Sequence, residues 1–155
     1  MATKPTHEQA TLQLTIYDQR REPKLREARD WFFKNYHAQS MEEAMKLGGP
    51  GTENGARFMM VVSYWEQACA LLNYGLLHEE FFFETSGEFF GTWERVKPIV
   101  KQGRDMFKNQ QWLGQLETAA KRFEEWSEKR NPGSIEHMRQ FMKQMSEQLS
   151  KSAKA

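Results

Sequence analysis

The sequence predicts an all-α fold, an irregular helical bundle of about six helices in a single domain over residues 1–155. Three observations point there. Apolar residues recur at steps of three and four through every long segment, the spacing of one helix face. No stretch alternates apolar and polar residues over the length of a strand. Glycine and proline, which punctuate helices, gather at a few boundaries, above all in Gly48–Gly55, GGPGTENG.

Thr6 followed three residues later by Gln9 forms a capping box that opens a first helix, with Ala10, Leu14 and Tyr17 on one face. Pro23 marks either a kink or the first turn of a new helix. Beyond it Leu25, Ala28, Phe32 and Tyr36 keep one stripe, widened by Trp31 and Phe33. Ser40 and Glu43 repeat the capping pattern, and Gly48 is placed to stop the short helix that follows. The Gly-rich part at 51–55 reads as a connector into a helix from about Ala56 to Tyr74. It is not a phosphate cradle, which needs Lys and Ser/Thr after its second glycine and a strand before its first.

Phe58 to Val100 holds two of the five tryptophans and six of the eleven phenylalanines. Within it Phe58, Val62, Trp65, Cys69 and Leu72 form one seam, and Val61, Ala68 and Leu71 a second. A helix with two apolar lines touches neighbours on two sides. Gly75 is placed as the left-handed residue past its end, with Leu76 folding back on Leu71. Glu79 and Glu80 open the next helix, where carboxylates favour the positive end of the dipole. Phe81, Phe82 and Phe83 are consecutive and cannot share one face, so at least one is expected to meet a second element or a second chain. Pro98 is expected to tilt or split the helix bearing Phe89, Phe90, Trp93, Val96, Val100 and Phe107.

Trp112, Leu116, Ala119, Phe123 and Trp126 carry another seam, laced outside by Glu117–Lys121 and Glu125–Lys129 at the four-residue spacing. Asn131-Pro132-Gly133 breaks it. Ser134 is then expected to cap a last helix with Ile135, Met138, Met142, Met145 and Leu149, and residues 151–155 to fray. The Met-bearing stripe is read as core packing, with a partner-accepting surface as the alternative.

A formal net charge of +1 gives no general pull toward nucleic acid or anionic membrane. The single cysteine, Cys69, excludes an internal disulfide framework and sits in an apolar run, the position of a buried small hydrophobe. The N-terminal MATKPTHEQATLQ has no apolar h-region and no run is long enough to span a bilayer, so a cytoplasmic protein is expected.

Catalytic constellations are sparse. His78, Glu79, Glu80 and Glu84, with Glu66 on the helix before, resemble a bundle metal site in composition, but the paired Glu-x-x-His spacing is absent. Cys69 has no histidine at helical contact spacing, and His7, His37, His78 and His137 lie in four different segments. Lys97, Lys101, Arg104 and Lys108 share a helix face, which reads better as a solvated face paired with the acidic stretch up to Glu94 than as a nucleic-acid contact.

Tyr64-Trp65-Glu66, Tyr74-Gly75-Leu76-Leu77 and Phe89 through Trp93 to Pro98 together resemble the DUF4760 family of uncharacterised bacterial proteins. The resemblance runs from about Met59 to Arg104 and rests on packing residues. It implies a helical fold and no assigned activity. Some members carry an N-terminal membrane helix that this sequence does not show, so membrane association is not implied.

The leading expectation is a non-catalytic interaction or scaffold module that self-associates, a homodimer above other forms, without cofactor. The alternatives are a small-ligand or metal-binding bundle, and a weak nucleic-acid binder through the basic face. Candidate contact residues are Trp65, Glu66, His78, Glu80 and Trp93, together with Phe81, Phe82 and Phe83.

Overall fold

Eight helices, rather than about six, run through residues 3–152, the part of the chain that the computed structural model describes. They are α1 (His7–Arg20), α2 (Pro23–Asn35), α3 (Met41–Gly48), α4 (Glu53–Asn73), α5 (Glu79–Thr85), α6 (Glu88–Phe107), α7 (Gly114–Arg130) and α8 (Ser134–Ser152). The described residues contain no strand. Pro23 begins a new helix instead of kinking the first, and the two short helices expected after Ser40 and from Glu79 stand as separate elements, α3 and α5. Helices of 8 and 7 residues do not hold alone in water; each is capped and packed.

The caps explain the boundaries. At α1 the Thr6 hydroxyl accepts the Gln9 N–H at 3.1 Å while the Gln9 side chain accepts the Thr6 N–H at 2.9 Å. Glu22 accepts the Leu25 N–H at 2.8 Å ahead of Pro23 in α2. Ser40 accepts the Glu43 N–H as expected, but the Glu43 carboxylate reaches Gln39 N, one residue outside the predicted box. Past α4, Gly75 is left-handed (φ 76°), and Leu76 N donates to Leu71 O at 3.0 Å.

Residues 53–55 are helix, not connector. Thr52 caps α4 three residues earlier than expected by accepting the Gly55 N–H at 3.0 Å. Gly55 lets the end of α3 approach, since a Cβ there would lie 2.1 Å from the Gly49 carbonyl oxygen.

The long α4 is the centre of the bundle, packed chiefly against α2 and α7 and also against α3 and α6. Val61, Val62, Trp65, Ala68, Cys69 and Leu72 are all buried along it, and Phe58 and Leu71 are half-buried. The two expected apolar lines thus face two sets of neighbours. Buried side chains from Ile16 to Ile135 form one cluster. Pro98 neither splits α6 nor ends it, because Phe89, Phe90, Val96, Ile99 and Val100 are buried on both sides of it.

The C-terminal third departs most from the sequence reading. Trp112 precedes α7 instead of opening its seam, lying in a turn that has Lys108 and Leu113 left-handed (φ 49° and 55°). Helix α8 is capped from α7, where the Glu128 carboxylate accepts the Gly133 and Ile135 N–H groups at 2.8 and 2.9 Å. Ser134 instead shares a hydrogen bond with Ser127 at 2.8 Å. Only Ile135 of the Met stripe is buried, with Met138, Met142 and Leu149 half-buried and Met145 exposed. Lys151 and Ser152 belong to α8, and 153–155 of the expected tail lie outside the described residues.

Candidate functional site

Most of the residues nominated from sequence make contacts within the bundle. Trp65 is buried in the core beside Phe89, at 6.3 Å between ring centroids. Glu66 reaches from α4 to the start of α7, where its two oxygens accept the Gln115 and Leu116 N–H groups at 3.0 and 2.7 Å. His78 caps α5 by accepting the Phe81 N–H through Nδ1 at 3.2 Å. Glu80 forms an ion pair with Arg130. Phe82 and Phe83 enter an aromatic cluster with Phe89, Phe123 and Trp126, at 5.2–5.9 Å between centroids. Phe81 and Trp93 are half-buried. The run of phenylalanines therefore finds its second element within this chain.

The acidic stretch is likewise engaged. Glu79 pairs with Arg122 at 2.7 Å, Glu84 with Arg130 at 3.0 Å, and Glu88 with Arg29 at 2.5 Å. Glu94 binds both Lys97 and Arg139, at 2.7 and 3.1 Å. Burial pushes the Glu94 carboxyl up, but hydrogen bonds from Arg139 and Lys97 outweigh it and hold the group below the ordinary range. On the basic face, Arg104 turns inward to Glu117 at 2.7 Å. Among the described residues no group of three His, Cys, Asp or Glu side chains converges as a metal site would require.

The concave apolar site lies elsewhere, between α3, the start of α4, and the C-terminal half of α6 with the turn that follows it. It encloses about 440 Å³ and is lined by Tyr36, Met41, Ala44, Met45, Gly48, Pro50, Gly55, Phe58, Met59, Ile99, Phe107, Asn109 and Trp112. None of the eight nominated residues lines it.

Its walls are set by three contacts. Gln102 on α6 accepts the Met41 N–H at 2.8 Å and pins the start of α3. Gly103 has no side chain where the Trp112 indole lies, and a Cβ there would sit 2.3 Å from Trp112 Cζ3. Arg104 Nε donates to the Trp112 carbonyl at 2.9 Å, fixing the turn that carries the indole.

Two polar side chains interrupt the apolar lining besides the indole. Asn109 Oδ1 accepts the Gln111 N–H at 3.1 Å, which leaves its amide nitrogen as a donor. Tyr36 is 1% exposed, stacked on Phe32 at 5.1 Å and tilted against Phe58 at 4.9 Å. Its hydroxyl has no hydrogen-bond partner among the described residues, and burial pushes the phenol well above its ordinary pKa. A buried hydroxyl without a partner costs about 1–3 kcal/mol, which a ligand atom could offset.

No charged side chain lines this cavity, and its mainly apolar wall with a few polar groups is that of a small-molecule pocket. Periodicity did not reveal it, because its residues come from five segments and each reads locally as packing. A local signal was Gly103, a glycine on the buried side of α6.

A family model described as a domain of unknown function, DUF4760, matches residues 5–123. That span reaches from before α1 into α7, well beyond Met59–Arg104, and includes every cavity-lining residue. No curated protein and no solved structure matches the chain.

Proposed function

The chain belongs to the DUF4760 family, and we propose that it is a non-catalytic, cytoplasmic binding protein whose cavity takes a small, mainly apolar molecule bearing one hydrogen-bonding group. The observation that carries this reading is a mainly apolar cavity of about 440 Å³, one of whose lining residues, Tyr36, has a buried hydroxyl without a partner. Ligand pockets typically run to about 300–1,000 Å³, mostly apolar, with a few placed polar groups.

The test uses 2-naphthol as probe and naphthalene as its partner lacking the hydroxyl, each titrated calorimetrically. Tyr36→Phe is expected to weaken 2-naphthol by about 2–10-fold, the worth of one neutral hydrogen bond, and to leave naphthalene unchanged. Ala44→Phe, which fills the cavity, abolishes both. If the wild type binds neither probe saturably, or Ala44→Phe binds as the wild type does, the proposal is wrong.

A second reading, self-association as a dimer, draws support from Phe141 (57% exposed) and Met145 (40% exposed), four residues apart on one face of α8. Sedimentation showing only monomer across the micromolar range would remove it.

A further inference from the structure

A second cleft of about 720 Å³ lies between the C-terminal half of α8, the segment after α2, and α6. Its lining includes four cationic side chains, Arg95, Arg139, Lys143 and Lys151, against two carboxylates, Glu94 and Glu147. Glu94 and Arg139 already bind each other. Arg95 is different. It is half-buried and has no carboxylate within ion-pair distance among the described residues, whereas the other partly buried arginines, Arg20, Arg29, Arg57, Arg104, Arg122 and Arg139, each have one.

The Arg95 guanidinium lies over the Phe33 ring at 5.2 Å, and its Nη1 is 3.2 Å from His37 Nδ1. His37 Nε2 is 3.3 Å from the Lys34 carbonyl oxygen, so one tautomer, protonated on Nε2, satisfies both contacts. That imidazole is neutral and supplies no counter-charge. Burial, then the Arg95 charge, lower the His37 pKa, which keeps it so. Arg95 Nε is buried with no partner among the described residues.

We infer that this cleft binds a small oxyanion, a phosphate or carboxylate group, seated on the Arg95 guanidinium with Lys143 at its rim. A half-buried cation without a counter-ion is a cost the fold carries, and the planar fork of arginine matches two oxygens of either group. Oxyanion binding at Arg95 supplies the missing charge and leaves the apolar cavity free.

The experiment titrates ¹⁵N-labelled full-length protein with inorganic phosphate and, separately, with succinate, at constant ionic strength. The Arg95 Nε–H resonance is followed alongside the melting temperature. Saturable movement of that resonance with either anion is the expected result, and the stronger anion names the source. Arg95→Gln is expected to weaken that anion about tenfold or more, as loss of a hydrogen bond to a charged group does. Its melting temperature without anion is expected to be no lower than the wild type's, which a merely structural Arg95 would not allow. Arg21→Gln, an exposed control, changes neither property. Should Arg95→Gln fail to fold, Lys143→Gln and the wild-type resonance decide the matter. A resonance that neither anion moves, or an Arg95→Gln that binds as the wild type does, overturns the assignment.

Discussion

Replacing Glu66 by alanine tests whether that side chain is a helix cap or a ligand group. Helix α7 begins at Gly114 behind a left-handed Leu113, with no side-chain cap of its own at that position. Its first N–H groups depend on Glu66 from α4, at 3.0 Å to Gln115 N and 2.7 Å to Leu116 N. Leu116 is fully buried, so its orphaned N–H costs about 1–3 kcal/mol. Gln115 is half-buried, and loss of its bond costs about 0.5–1.5 kcal/mol. Removing a negative charge from a helix N-terminus adds about 0.3–1 kcal/mol. The total is about 2–4 kcal/mol, since the three contributions overlap. At ~2–4 °C per kcal/mol for a chain of this size, the melting temperature should fall by about 5–15 °C. Urea unfolding followed by far-ultraviolet circular dichroism measures the free-energy loss and a thermal melt the shift in temperature, with Glu66→Gln, which keeps one acceptor oxygen, expected about midway. A loss under about 0.5 kcal/mol, the range of an ordinary surface substitution, would refute the capping argument.

Gly55→Ala forces a Cβ to 2.1 Å from the Gly49 carbonyl oxygen, an overpacking cost of about 1–3 kcal/mol that exceeds the ~0.5–1 kcal/mol gained in helix propensity. Gly91→Ala meets only Phe33 and Met142 at 3.6 and 3.8 Å, so it should stabilise by about 0.5–1 kcal/mol in the same urea assay. Cys69 is 0% exposed and burial pushes its thiol pKa well up; an aromatic disulfide reagent should label it no faster than the protein unfolds, and rapid native labelling would contradict its placement. Stability should fall in acid. His37 is lowered by burial and Arg95, Glu117 by Lys121 and Arg104, and Glu128 by the Gly133 and Ile135 N–H groups. Each depressed group is protonated first in the unfolded chain, so stability is full above its ordinary pKa and declines as pH drops toward the folded value. The decline should start near the ordinary histidine value of 6.5 and steepen below the carboxyl value of 4.5, as urea midpoints across that range will show.

Local chemistry was legible at several boundaries, although the Thr52 cap of α4 was missed and the Ser40–Glu43 box formed only in part. The Thr6–Gln9 capping box, the left-handed Gly75 and the Glu117–Lys121 pair stand as read from the chain. The caps that act between helices were not legible. Glu66 serves a helix 48 residues further on, and nothing in its own segment separates a distant cap from a ligand. Glu128 displaced Ser134 as the cap of α8 for the same reason, since a carboxylate with two oxygens can take two N–H groups where a hydroxyl takes one.

Helical periodicity, breaker residues and a charge balance near zero establish an all-α chain with a well-stocked core and no obvious catalytic set. These properties follow from spacing along one dimension. Which surfaces that core leaves open follows from how rods of unequal length meet. The cavity beside Trp112 exists because Gly103 admits an indole and Gly55 admits a loop. The charge on Arg95 goes uncompensated because α6 carries it to a neutral His37 rather than to a carboxylate. Such placements depend on how separate segments pack in three dimensions, whether a turn apart, as for Gly103 and Trp112, or far apart in the chain, as for Arg95 and His37, and side-chain spacing along one helix holds no information about them.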